Sequence, residues 1–121
     1  MGLDMWLKKR PKTEEELMYW RKANQIRGWI ADHVAGFNDN GETVVAKEDL
    51  EELLKVCESV IEHKSEQYSA SVLPVTSGFF FGSNEYDDFY YEDVSDTINV
   101  LKDILKNVDF DNYDVVYEEW Y

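Results

Sequence analysis

Asp88-Phe-Tyr-Tyr-Glu92-Asp93-Val94-Ser-Asp-Thr-Ile98-Asn-Val-Leu101-Lys-Asp-Ile104-Leu105-Lys-Asn107-Val108, followed by Tyr113-Asp-Val115-Val116-Tyr117-Glu118-Glu119-Trp120, carries two different apolar periods. In the first segment Val94, Ile98, Leu101, Ile104, Leu105 and Val108 recur at spacings of three and four, which predicts a helix from about Asp88 to Asn107. In the second, Tyr113, Val115 and Tyr117 face one way and Val116 the other, which predicts a strand. The same period of two recurs at the opposite end of the chain, in Leu3, Met5 and Leu7. A helix leading into a strand, with a second strand at the N-terminus, predicts an α+β fold in which three helices pack on a small sheet that includes both chain termini.

Nearer the N-terminus, Thr13-Glu14-Glu15-Glu16 has the capping-box pattern, so a first helix is expected from there to about Ala35. Tyr19, Ala23, Ile26, Ile30 and His33 would form its inner face, with Gly36 as its C-cap. Asn38-Asp39-Asn40-Gly41 is a turn signal, and Thr43-Val44-Val45 suggests a short strand. A second helix is expected over about Lys47 to Gln67. Its apolar stripe is Leu50, Leu53, Leu54, Cys57, Val60, Ile61 and Tyr68, and Cys57 in that stripe reads as a buried thiol. Ser69 to Ser77 reads as a loop, and Gly78-Phe79-Phe80-Phe81-Gly82 as a short buried strand or tight aromatic turn. The expected order is β-α-(β)-α-β-α-β.

A length of 121 residues, with 44% apolar and 31% charged, fits one globular domain spanning residues 1–121. No run of about 18 apolar residues could span a membrane. The opening Met1-Gly2-Leu3-Asp4 shows no secretory h-region, so a cytoplasmic protein is expected.

Charge narrows the function classes. The chain carries a net −14, and from Asn84 onward twelve acidic residues face two lysines, a net of −10. Tyr and Trp are interleaved with these acids. Such a surface suits basic protein partners and disfavours direct binding of nucleic acid or an anionic membrane. The basic run Lys8-Lys9-Arg10-Pro11-Lys12 reads as a solvated loop that meets the chain's own acids.

Catalytic signatures are missing: there is no G-x-S-x-G, P-loop, H-E-x-x-H or dinucleotide fingerprint. Asp109-Phe-Asp-Asn-Tyr-Asp114 opens like a calcium loop but has Asp114 where glycine is required and Trp120 where glutamate is required. Asp87, Asp88, Glu92 and Asp93 read as solvated surface in preference to a magnesium site. His33 and His63 lack partners at metal-ligand spacing. A binding protein is therefore expected in preference to an enzyme, with no cofactor and no metal.

Two candidate sites emerge. The partner-binding set is Asp87, Asp88, Tyr90, Glu92, Asp93, Asp109, Asp111, Glu118, Glu119 and Trp120. The alternative is a ligand pocket made by Trp20, Arg21, Asn24, Arg27, Phe80 and Tyr86. In it, Trp20, Asn24 and Arg27 would share one helix face and clamp a planar anion such as a nucleotide.

Met1-Gly-Leu-Asp-Met-Trp-Leu7, Tyr19-Trp-Arg-Lys-Ala-Asn-Gln-Ile26, Ser77-Gly-Phe-Phe-Phe-Gly-Ser83 and the following Tyr86-Asp87 resemble a family of small proteins from tailed phages and bacterial mobile elements. Its members open M-G-L-D-M-Y-L and carry S-G-F-F-F-G-S followed by Y-D. The resemblance spans nearly the whole chain. It departs at Arg27-Gly28, where a His is common, so a role for that His does not carry over. The resemblance implies a phage or prophage origin and brings no assigned activity. Small acidic phage proteins without catalytic motifs resemble inhibitors of host defence. Some resemble DNA in charge and block the basic channels of CRISPR effector nucleases; others sequester nucleotide second messengers. The leading expectation is therefore an anti-CRISPR-like inhibitor that presents an acidic, aromatic, nucleic-acid-mimicking surface to a basic host protein. The second is a nucleotide-binding protein, and the third is a phage assembly protein that forms homo-oligomers through exposed aromatics.

Overall fold

Eight elements follow one another in the computed structural model, which describes residues 2–10, 15–21, 23–75 and 85–120. They are β1 (Asp4–Arg10), β2 (Glu15–Arg21), α1 (Asn24–His33), β3 (Glu42–Val45), α2 (Lys47–His63), α3 (Glu66–Val72), α4 (Asp88–Asn107) and β4 (Asp114–Trp120). The four strands form one sheet in the order β2-β1-β4-β3, with every neighbouring pair antiparallel. The strands nearest the two chain ends, β1 and β4, pair with each other at its centre. The fold is α+β as expected, with four helices among the described residues where three were expected.

The alternation of β1 and β4 places the core. Leu3, Met5 and Leu7 are buried on one face; in register Met5 stands opposite Glu119 and Leu7 opposite Tyr117 of β4, and Val115 is buried on the same face. The buried sides of the helices close over that face: Ile26, Trp29 and Ile30 of α1, Leu50, Leu53, Cys57 and Val60 of α2, and Tyr90, Val94, Leu101 and Ile104 of α4. Each fully buried aliphatic side chain contributes about 1.5–3 kcal/mol of apolar transfer free energy. The result is two layers: helices on one face of the sheet, and strands whose second face is turned away from them.

The largest departure from expectation lies at Glu15–Arg21, which is a strand and not the start of a helix. Met18 pairs with Leu7 and Trp20 with Met5, so both point to the core, while Tyr19 pairs with Trp6 on the other face. The register shifts between Leu7 and Lys8, and this bulge leaves Leu17 as the extra residue, partly buried against the core. Pairing with β1 outweighs the weak helix preference of the glutamates, because Tyr and Trp fit a pleated, half-buried surface well. α1 therefore begins only at Asn24. Of its expected inner face, Ala23, Ile26 and Ile30 are buried, but Tyr19 and His33 are exposed. It ends at Val34, with Gly36 at a positive φ of 75° two residues on.

The second expected helix is divided. Lys64 adopts the left-handed conformation (φ 47°, ψ 44°) and ends α2. The Ser65 hydroxyl then accepts from the Tyr68 N–H at 3.4 Å and starts α3, which takes in Ser69 to Val72, the first residues of the expected loop. α4 spans the predicted residues. Asp87 caps it by accepting from the Tyr90 N–H at 3.0 Å. The reading of 78–82 as a strand or aromatic turn lies outside the described residues.

Candidate protein-binding surface

The expected acidic patch is built on three separate supports. At the N-terminus of α4, Asp88 and Glu92 are exposed, whereas Asp87 is engaged as the helix cap. Asp93 is half-buried. Burial, reinforced by the neighbouring carboxylates of Asp96, Glu92 and Asp87, raises its pKa from 3.8 to about 6. Tyr90 belongs to the core: its hydroxyl donates to the Leu73 carbonyl at 2.6 Å, and its own carbonyl accepts from Gln25 Nε2 at 3.2 Å. It ties α4 to α1 and to the end of α3 and presents nothing to a partner. Burial raises the phenol pKa well above its ordinary value.

Asp109 and Asp111 lie past the far end of α4, about 30 Å from the first group at 1.5 Å per residue. Asp109 is used within its own turn, accepting from the Asp111 N–H at 3.1 Å and from Asn112 Nδ2 at 2.7 Å. Asp111 is exposed. Asp96 and Asp103 continue the line of Asp88 and Glu92 along α4 toward the second group; all four are exposed and follow helical spacing.

Glu118, Glu119 and Trp120 alternate across β4. Glu119 is only 1% exposed and points to the helical side, where it receives four hydrogen bonds. Arg27 Nε donates at 3.0 Å and an Arg27 terminal nitrogen at 3.3 Å; the Tyr117 hydroxyl donates at 2.8 Å and the Asn40 N–H at 2.6 Å. Glu119 is therefore a structural anchor between β4, α1 and the 38–41 turn, not a surface contact. Glu118 and Trp120 stand on the opposite face.

The alternative pocket does not assemble as expected. Trp20 lies on β2, so it cannot share a helix face with Asn24 and Arg27. Its indole is 3% exposed and donates to Thr97 Oγ1 at 2.7 Å. Asn24 is buried. Arg27 is held by Glu119 and by Asp39 at 2.7 Å, with its guanidinium 5.2 Å from the Phe37 ring centroid. The Tyr86 hydroxyl accepts from the Val75 N–H at 3.2 Å. Arg21 pairs through its backbone with Asp4 at the edge of the sheet, and Phe80 lies outside the described residues.

The histidines and the thiol have structural settings. The rings of His33 and His63 stack on Trp29 and Tyr68, and each Nδ1 lies 2.9 Å from the carbonyl one turn earlier. Cys57 is buried, and desolvation, with the nearby Glu58 charge, raises its pKa to about 12. Among the described residues no group of three His, Cys, Asp or Glu side chains is placed to hold a metal ion.

One surface stands out that the sequence did not reveal. The outer face of the sheet, away from the helices, carries Tyr19 (45% exposed), Val44 (53%) and Trp120 (62%). These are three of the four large apolar side chains that the described residues expose. Trp6 joins them, its ring 5.7 Å from that of Tyr19. Carboxylates border the aromatics. Asp4 accepts from the Tyr19 hydroxyl at 2.5 Å, and Glu118 accepts from Lys8 Nζ at 2.9 Å, with Lys8 also 5.6 Å from the Trp6 ring centroid. Glu42 and Glu118 stand opposite each other in register. Two carboxylates side by side cost energy, and the Lys8 ammonium bonded to Glu118 offsets part of that cost within the sheet. The missing signal was the strand character of β2; once Tyr19 is set opposite Trp6, the aromatic face follows.

No family model, curated protein or solved structure matches the chain.

Proposed function

We propose that this chain is a phage-encoded anti-defence inhibitor, of the anti-CRISPR-like kind, that binds a basic, nucleic-acid-handling surface of a host protein. The outer sheet face is its contact surface. The observation that carries the reading is the gathering of Tyr19, Val44 and Trp120 on one sheet face, beside the carboxylates of Asp4, Glu42 and Glu118. Exposed aromatics at the centre of a patch are the usual anchors of protein interfaces, and Trp and Tyr are enriched among the residues that dominate binding energy. The chain's net charge of −14, with Lys8 offsetting Glu118 on this face, supplies steering toward a cationic partner and disfavours nucleic acid itself as the partner. The exposed acids of α4, spaced at about 6 Å per four residues, extend the negative field on the helical side.

Burial of Trp20 and Asn24, and capture of Arg27 by Glu119, weigh against the nucleotide-sequestering alternative. Homo-oligomerisation through the same aromatics would bring together two chains that each carry −14, which like-charge repulsion opposes.

The test is capture from a bacterial lysate by the immobilised protein, followed by competition with DNA and RNA. A captured protein that loses its nucleic acid in proportion to the inhibitor added, and that is released at high salt, supports the reading. Stabilisation of the chain by a nucleotide, or a concentration-dependent dimer mass with no captured nucleic-acid-binding protein, overturns it.

A further inference from the structure

A groove of about 400 Å³ runs across the end of the sheet, between the β3–α2 junction and the turn that leads into β4. Its walls include Val44, Phe110 and Tyr113; Glu48, Asp111 and Asp114 supply three carboxylates against the ammonium of Lys47 in the lining and that of Lys9 beside the Tyr113 ring. Val44 belongs both to this groove and to the outer sheet face, so the two surfaces are continuous. We propose that the groove receives a basic side chain, an arginine or lysine carried on an extended segment of the protein partner. This assignment rests on the reading above that the partner is a basic protein, and it names the chemistry by which that partner is recognised.

The rings already hold cations. Lys9 Nζ lies 4.8 Å from the Tyr113 centroid, and Lys47 Nζ lies 5.9 Å from the Phe110 centroid. Both distances are within the range at which an ammonium is attracted by an aromatic face. A guanidinium suits the same environment better than an ammonium does: it is planar, more weakly hydrated, and able to stack on a ring while donating to carboxylates. Glu48, Asp111 and Asp114 are all exposed at the groove, so they can turn toward an incoming cation without losing a buried partner. The groove is open to solvent along its length, and its volume exceeds what one side chain fills, which leaves room for neighbouring residues of the segment.

An anionic occupant is disfavoured on two counts. The carboxylates outnumber the lysine in the lining. The N-terminus of α2, which would otherwise attract an anion, is already served by its own acids: Asp49 Oδ2 accepts from the Ala46 N–H at 3.1 Å, and Glu48 sits in the first turn.

The experiment is a ¹H–¹⁵N NMR titration of the full chain with a blocked Gly-Arg-Ala-Arg-Gly peptide. The same peptide with citrulline in place of arginine serves as the neutral control. Shifts concentrated at 44–48 and 110–115 are expected with the arginine peptide and not with the citrulline one. The Asp111→Asn/Asp114→Asn variant should bind about tenfold more weakly, the sum of two exposed charge contacts, with the rest of its spectrum unmoved. Shifts scattered along the acidic faces of α2 and α4, an equal response to citrulline, or undiminished binding by the double variant would overturn the proposal. The outer-face reading fails separately: if the arginine peptide enters the groove but a captured partner is indifferent to Trp120→Ala, the groove assignment stands and the sheet-face assignment falls.

Discussion

Arg27 Nε donates to Glu119 Oε1 at 3.0 Å, joining two residues that the sequence places in rival sites. Arg27 belonged to the expected nucleotide clamp and Glu119 to the expected acidic partner surface. Each is instead the other's structural partner. Arg27 also reaches Asp39 at 2.7 Å, and Glu119 accepts from the Asn40 N–H, so the pair locks the 38–41 turn onto β4 and α1.

Breaking this pair from one side should be costly. Arg27→Met leaves a fully buried carboxylate without its cation and is expected to destabilise the fold by about 3–5 kcal/mol. Glu119→Gln keeps a similar shape and an acceptor oxygen, and should cost less. Urea denaturation of both variants checks the order; a smaller loss for Arg27→Met would contradict it.

The bond from Trp20 Nε1 to Thr97 Oγ1, at 2.7 Å, ties β2 to α4. Thr97→Val keeps the volume and removes the acceptor. A buried indole N–H left without a partner is expected to cost about 1–3 kcal/mol. Chemical denaturation followed by tryptophan fluorescence measures it, and a neutral Thr97→Val would show that the bond is replaceable.

Asp93 sets a pH dependence opposite to that of an ordinary paired carboxylate. Its pKa in the folded state is raised to about 6 by burial and by neighbouring acids. Between the unfolded and folded values, the folded state holds the proton that the unfolded state has lost. Stability from this group is therefore present below the unfolded pKa and is lost as pH rises through about 6. Asp93→Asn should stabilise the protein at neutral pH, by on the order of 1 kcal/mol after solvent screening. It should also flatten the melting-temperature profile between the two pKa values. Parallel thermal scans of wild type and variant across that window check both the sign and the window.

Cys57 should be inert. A thiol buried on the inner stripe of α2, with its pKa raised to about 12, supplies almost no thiolate at neutral pH. A chromogenic disulfide reagent should react with it only in denaturant, at the rate of unfolding. Rapid labelling of the native protein would contradict its burial.

The helix α4 and the strand β4 were legible in the sequence because burial on one side leaves a clear period: Val94, Leu101 and Ile104 at helical spacing, then Val115 and Tyr117 at two. β2 was not. Its Thr13-to-Glu16 lead resembles a helix cap, and its alternation is hidden twice. Tyr19 makes the outer face apolar as well as the inner one, and the bulge turns consecutive Leu17 and Met18 toward the core. An outward aromatic face erases the polar half of the pattern by which a strand is recognised, so the segment that builds the candidate surface is also the one that periodicity misreads. The number of acids is plain along the chain. Their division between the start of α4, the turn before β4 and the two faces of β4 depended on three-dimensional placement. Burial of Glu119 and Tyr90 follows from packing that a count of charges or aromatics does not contain.

Trp120 is the most exposed of the large apolar side chains described on the outer sheet face, and its removal should leave the core intact, with stability changed by roughly 0.5 kcal/mol or less. The decisive measurement is the affinity of a captured basic partner for wild type and for Trp120→Ala, by calorimetry at low salt and again at high salt. If the outer face is the contact surface, Trp120→Ala binds at least about tenfold more weakly, as expected for an aromatic anchor worth more than 1.4 kcal/mol. Wild-type affinity should also fall with salt. Equal affinities for the two proteins, with no dependence on salt, would contradict it.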